Sequence, residues 1–331
     1  MCCSLSSSRA APFRAAQLDP HAAPPGSSSP PHLRVLPWAG HKSALTLTFD
    51  DTSPSEAAEA LPVLDHKGVK ATFFVTVKND FTKGFDRAWA RAEREGHELG
   101  NHTVDHCRAT DLGANGCGTA SEEIERCNQY IESRLGAHDV YTFAYPFVDA
   151  GAAYKAVASS KFLLARAGSG GLIDASKDPD WYAMDAKFIE PSRGETVRDW
   201  NLWTDDSLAE SKWLVLVFHS ILPETWCDGV SKADLAAIID HARAAGDVWL
   251  DTFVNVGAYL RAERLLESVT PVAHGGGFIW SWTLPPHFPP GRSLHVVVDR
   301  GSLAQAGRTL KPDRHGSYSV ALDTGSLVWS P

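Results

Sequence analysis

The chain has 331 residues, of which 44% are hydrophobic, 21% charged and 10% aromatic; this is an ordinary globular composition and excludes a coiled coil, a collagen-like rod or a wholly disordered chain. Its 31 Lys and Arg face 40 Asp and Glu, a net charge of −9. Without a clustered basic patch, neither nucleic acid nor an anionic membrane is expected as a partner, and no apolar run reaches the ~18 residues of a bilayer span.

Residues 1–40, with PPGSSSPP at 25–32, are rich in Ser, Pro and Ala and read as a flexible leader. Arg9 and Arg14 precede the first acid, Asp19, a faint likeness to a transit peptide, and no apolar core of a secretory signal is visible. ALTLTFDD (44–51) alternates as a strand does. Ser53, Pro54 and Glu56 then supply an N-cap, a first-turn proline and a capping-box acid for a helix. Strand ATFFVTV (71–77), helix 85–95 ending at Gly96, and short strand HELGNH (97–102) follow. Thr119 and Glu122 form a second capping box, opening a helix to about Leu135. Next come strand 141–147, helix 152–159, strand 162–168, the near-continuous apolar strand WLVLVFHS (213–220), helix 231–245, strand 248–252 and helix 254–266. Segment 175–212, with its Trp and Asp, is expected to form part of a cleft wall.

Strands alternating with helices predict an α/β fold with a parallel sheet, closed as an incomplete or distorted barrel. Beyond Thr270 the runs become strand-like and are split by Gly and Pro turns. The expected domains are a catalytic unit over 41–270 and a small all-β appendage over 271–331. Trp280, Trp282 and Trp329 of the appendage are read as core residues, with sugar binding as the alternative. Six Cys are present, none spaced as C-x-x-C; either the thiols are scattered and buried, or one disulfide forms among Cys107, Cys117 and Cys127.

Three groups of residues fall at C-terminal strand ends, where βα barrels build active sites. They are Asp50 with Asp51, His102 with His106, and His219. His102 and His106 are one helical turn apart, so both imidazoles can face one point. Two imidazoles and one carboxylate make a three-ligand divalent site that leaves a position for water. Neighbouring Asp side chains on an extended segment point to opposite sides, so one could bind metal while the other takes a proton from the water. His219 could protonate a leaving group. Metal, base and acid suffice to hydrolyse an unactivated amide or ester.

These residues resemble the polysaccharide deacetylases, carbohydrate esterase family 4. TFDD (48–51), NHTVDH (101–106) and LVFHS (216–220) look like that family's first, second and fifth motifs, and the likeness runs over about 44–265. The resemblance implies a distorted (β/α) barrel that removes N-acetyl groups from N-acetylglucosamine-containing glycans: chitin oligomers, peptidoglycan or exopolysaccharide. It implies Asp50 as base, Asp51, His102 and His106 as ligands of one divalent ion (zinc, or cobalt or nickel), and His219 as acid. An extracellular or cell-surface location, an acetylated glycan partner and a monomeric state go with it.

The third motif is altered. FAYPF (143–147) keeps Tyr145, Pro146 and Phe147 but has Ala144 where the family carries an Arg that restrains the catalytic Asp. Asp50 is therefore expected to be less restrained unless another group substitutes. The Tyr145 backbone N–H is assigned to the oxyanion. Pro146, Phe147, Trp200 and Trp213 are assigned to substrate, with Asp199-Trp200, Asp180-Trp181 and Trp213 as candidates for the fourth motif. Asp251 could hold the His219 tautomer. Three alternatives remain: an O-acetyl esterase of acetylxylan type, an inactive carbohydrate-binding relative, and a non-haem iron oxygenase, whose ligand triad is the same.

Overall fold

A computed structural model describes residues 29–77, 82, 84–224 and 227–331. After a short strand, Leu33–Val35 (β1), the central sheet is built from Ser43–Asp50 (β2), Thr72–Val75 (β3), Glu98–Asn101 (β4), Thr142–Ala144 (β5), Leu164–Arg166 (β6), Lys187–Phe188 (β7), Trp213–Phe218 (β8) and Val248–Leu250 (β9). Every residue of β2 and β8 is buried, as in a parallel sheet covered on both faces. The strand order is β6-β5-β4-β3-β2-β8-β7, all parallel. β9 joins β2 at Ser43–Leu45, below the point where β3 pairs with Thr48–Asp50. One strand thus has three partners, and the barrel is distorted accordingly. Irregular backbone closes the seam beside β6: Met184 N–H donates to the Ala165 carbonyl, and Ala167 N–H to the Met184 carbonyl, both at 2.9 Å.

The helices are Leu61–Lys67 (α1), Asp86–Arg94 (α2), Ala120–Tyr130 (α3), Ala152–Lys161 (α4), Val197–Glu210 (α5), Lys232–Ala244 (α6) and Phe253–Ser268 (α7). Leu61, Trp89, Ile124 and Ile238 pack against Leu47, Phe49, Phe73 and Leu216 of the strands. Phe74, Ala144, Leu164, Val215 and Val217 pack instead with Phe253, Val256 and Leu260 of α7. Gly257 is required there: a Cβ would lie 1.9 Å from Leu164 Cδ1.

The Thr119–Glu122 capping box forms and starts α3. The one expected at Ser53 does not: Glu56 lies in a π-helical turn, Glu56–Ala60, with neither carboxylate oxygen hydrogen-bonded. Within 175–212, α5 had not been anticipated. Its signal is Thr196 followed three residues later by Asp199, which form a capping box.

Val272–His274 (β10), Gly277–Ser281 (β11), Ser293–Val298 (β12), Ser302–Gln305 (β13), Arg308–Thr309 (β14), Tyr318–Ala321 (β15) and Ser326–Ser330 (β16) make two antiparallel sheets. Their orders are β10-β11-β16-β13-β14 and β1-β12-β15. Trp280, Trp282 and Trp329 are buried in the core between these sheets and α7. The leader does not extend to residue 40. β1 pairs with β12, and the buried Trp38 indole N–H donates to the Ser211 carbonyl at 3.0 Å. The small β region is therefore built from both 33–35 and 272–330, and the remainder of the expected leader, residues 1–28, lies outside the described residues.

Candidate active site

Asp50 is the last residue of β2, and the chain turns at once. Asp51 and Thr52 have φ of +75° and +50°, a left-handed region that Asp tolerates better than most residues. This turn replaces the expected extended alternation and brings both carboxylates to one cavity of ≈200 Å³. His102 follows β4 directly, its N–H donating to the Val75 carbonyl at 2.9 Å. The two histidines do not lie on a helix, as their spacing had suggested. Thr103 and His106 have φ of +70° and +52°, and this tight turn brings the rings together. Thr103 N–H is held by Asn101 Oδ1 at 2.8 Å, and His106 N–H by Thr103 Oγ1 at 3.0 Å. Asn101 is itself fixed by donating to the Ile124 carbonyl of α3 at 2.9 Å.

The liganding atoms of Asp51, His102 and His106 lie within 4.8 Å of one another. His102 Nδ1 is 2.8 Å from the Ala144 carbonyl, which only accepts, so Nδ1 carries the proton and Nε2 presents a lone pair. Asp51 Oδ1 stands 3.7 Å from His102 Nε2 and 3.4 Å from His106 Nε2, and it is buried without a hydrogen-bond donor. An orphaned carboxylate oxygen facing two imidazoles fits a divalent cation. Burial, with Asp50 adjacent, raises the Asp51 carboxyl to about 7, while burial lowers His106 to about 3. His102 and His219 are also lowered, chiefly by burial. The imidazoles are thus neutral at neutral pH, as metal ligation demands.

Asp50 has a cation of its own. Arg166, at the end of β6, donates from Nη2 to Asp50 Oδ2 at 2.5 Å, with the two residues 1% and 3% exposed. Among the described residues it is the one buried Lys or Arg. The guanidinium lies near the Phe74 and Phe188 rings, 5.1 and 5.8 Å from their centroids. Burial pushes the Asp50 carboxyl up, but the Arg166 guanidinium, joined by His102 and His219 when those rings are protonated, outweighs it and holds the group below its usual range. Since both histidines are neutral, Arg166 is the permanent contributor. Residue 166 pairs in register with residue 144 across β5–β6. Ala144 therefore does not leave Asp50 without a cation, because the arginine stands on the next strand. His219 follows β8, lines the same cavity and stacks on Phe188 with ring centroids 6.0 Å apart.

Residues 39–162 match the polysaccharide deacetylase family model. Over this segment the chain is similar to the polysaccharide deacetylases. A chitin deacetylase of Pestalotiopsis sp is 34% identical over 119 residues, covering 34% of this chain and 38% of that protein. A chitooligosaccharide deacetylase of Sinorhizobium fredii is 34% identical over 102 residues, covering 30% of this chain and 45% of that protein. The matches thus span less than half the length of either relative. A solved structure from Mycobacterium smegmatis, titled a polysaccharide deacetylase, shares the fold with a TM-score of 0.51 at 18% identity, covering 68% of this chain and 92% of that one. Arg166 and His219 both lie beyond the segment matched by the family model.

Several expected roles do not fit the geometry of this site. The Tyr145 N–H cannot serve an oxyanion, because it donates to the Arg166 carbonyl at 3.1 Å within the β5–β6 ladder. Trp200 and Trp213 are buried core residues that do not line the cavity. Their indole N–H groups donate to Glu195 Oε2 at 2.9 Å and Thr46 Oγ1 at 3.0 Å. Pro146 is buried behind Phe147, which is 47% exposed and lines the cavity. Of the fourth-motif candidates, Asp199 caps α5, Asp180 pairs with Lys155, and Trp181 lies under Arg261. Asp251 accepts from Thr252 N–H and Asn255 Nδ2, both at 2.7 Å, in the turn that opens α7, and so does not hold His219. Asp228, missed in the sequence, is the acid whose charge reaches His219 along with that of Asp50.

Among the described residues, Cys107 and Cys117 form a disulfide, while Cys127 and Cys227 are free. Among the described residues, no helix is long and apolar enough to cross a membrane.

Proposed function

We propose that this chain is a metal-dependent hydrolase that removes N-acetyl groups from N-acetylglucosamine-containing glycans. One observation carries the reading: Asp51, His102 and His106 converge beside an Arg166-paired Asp50, with His219 in the same cavity. The names of the chitin and chitooligosaccharide deacetylases support the substrate class. Asp51, His102 and His106 would hold one divalent ion, most simply zinc given the N₂O donor set. When bound, such an ion polarises a carbonyl and acidifies water.

Asp50, kept ionised by Arg166, accepts the proton of the attacking water as its oxygen bonds to the acetyl carbon. Breaking the C–N bond then requires a proton at the departing nitrogen, which His219 delivers. The products are acetate and a free amino sugar. The Cys107–Cys117 disulfide supports an oxidising, extracytoplasmic location.

Acetate release from chitooligosaccharides, assayed with and without a chelator, tests this reading. Release that stops on chelation and returns with zinc is expected. Release from acetylxylan alone would replace the amide by an ester, and glycan binding with no release from either would leave a binding protein.

A further inference from the structure

We propose that the Cys107–Cys117 disulfide positions His106, so that the oxidation state of this pair sets the affinity of the site for a divalent cation. The inference rests on the three-ligand site proposed above, but not on the hydrolytic chemistry.

The three ligands are not held alike. Asp51 follows directly on β2. His102 follows β4, with its N–H on the Val75 carbonyl and its ring on the Ala144 carbonyl. Both are anchored to the central sheet. His106 lies in the loop beyond, and its N–H is held by the nearby Thr103 side chain. Packing sets its ring, which lies 4.8 Å from the His102 ring and 4.5 Å from Phe147, centroid to centroid. Phe147 in turn carries the Arg108 guanidinium 3.8 Å from its own centroid.

Cys107 and Arg108 are the two residues after His106, and the cross-link ties them down. Cys107 is joined to Cys117, ten residues on. One buried carboxylate, Glu123, gathers the feet of this loop: Asp105 N–H and Gly118 N–H each donate to it at 2.9 Å. The Tyr154 hydroxyl donates to the Cys107 carbonyl, and Ala109 N–H to Asp149 Oδ2, both at 3.0 Å. Opening the disulfide returns conformational freedom to residues 107–117. These polar contacts keep the path of the backbone. What loses restraint is the strut running from Arg108 through Phe147 to the His106 imidazole. Groups that orient a ligand from behind are worth about 10–100-fold in metal affinity.

Linkage makes the effect reciprocal. A cation that prefers the oxidised form makes the disulfide harder to reduce by the same factor. In that reduction two glutathione molecules supply two electrons and two protons, leaving as glutathione disulfide and yielding two protein thiols.

The zinc Kd of the oxidised full chain and of C107A/C117A, measured by competition with a chromophoric chelator, tests the proposal. A loss of tenfold or more in the variant is expected, with its far-UV circular dichroism retained. Affinities within twofold in a folded variant would overturn it. A second measurement needs no variant: the disulfide of the native chain is titrated in glutathione buffers with and without zinc. A tenfold coupling moves its midpoint about 30 mV more negative with zinc, and an unmoved midpoint would overturn the proposal. Absence of zinc binding in both forms would remove the cation site itself, and with it the proposed function.

Discussion

A buried ion pair is demanding because removing one member strands the other in low dielectric, so the Arg166–Asp50 contact matters more than any surface salt bridge here. Arg166→Ala should lower kcat about 100-fold, with little change in KM, because a proton acceptor that has lost its restraint is misplaced for the reaction. Register-paired residues of parallel strands face the same side, so the arginine can be moved back to the position it faces. The double variant A144R/R166A, filling the space the first change vacates, should recover at least tenfold of the lost kcat. Steady-state kinetics on a chitooligosaccharide, with zinc content measured in parallel, checks both. Trp213 lies at the opposite extreme: its indole N–H is used inside the core. Trp213→Phe should cost about 1–3 kcal/mol of stability through the unpartnered Thr46 hydroxyl and lost volume, leaving KM within twofold. A shift in KM without a fall in Tm would return Trp213 to the substrate. The candidate base Asp50 and the metal-ligand candidates Asp51, His102 and His106 were legible because they are local to two short motifs. Arg166 was not, because it is 116 residues from Asp50 and no local pattern announces the contact.

At the scale of elements, short-range signals read well where a side chain bonds to its own backbone. Thr119 and Glu122 form their capping box, and α3 carries the Glu123 carboxylate that gathers the loop after His106. Thr119→Ala should cost about 1 kcal/mol in thermal unfolding, the ordinary value of an N-cap. Because Glu123 rides on the same first turn, zinc affinity should weaken in step, and a stability loss with unchanged affinity would uncouple helix from loop. Glu56 misled for the converse reason. Its capping-box spacing is sound, but a π-helical turn carries it into the interior beside Asp50 and Asp51, where burial and those charges raise its carboxyl well above the usual range. The helical spacing of His102 and His106 likewise anticipated that the two rings would meet, but by the wrong geometry. Left-handed φ values at Thr103 and His106, invisible in side-chain periodicity, bring the rings together.

For the whole molecule, pH sensitivity of the fold is concentrated in acids buried between layers. Glu263 on α7 is 6% exposed, and burial, with Glu267 nearby, raises its carboxyl from 4.5 to about 7. The folded state therefore binds this proton more tightly than the unfolded chain does. Below about pH 4.5 both states hold the proton and the group is neutral to stability. As pH rises from there through 7 the buried charge destabilises the fold, by on the order of 3 kcal/mol. Glu263→Gln should raise Tm by several degrees at pH 8 and leave it unchanged at pH 4.5, as calorimetry at the two pH values would show. An equal gain at both would mean packing, not ionisation, is responsible.

Alternating strands and helices, the residues at strand ends and two short motifs were enough to predict the barrel and the three residues whose side chains converge, because periodicity and turn chemistry are local properties of a chain. Which tryptophans are core, which arginine faces Asp50, and that residues 33–35 complete the distant β region were decided only on folding. Those outcomes depend on contacts between segments tens to hundreds of residues apart, and local pattern carries no record of what will lie across the sheet.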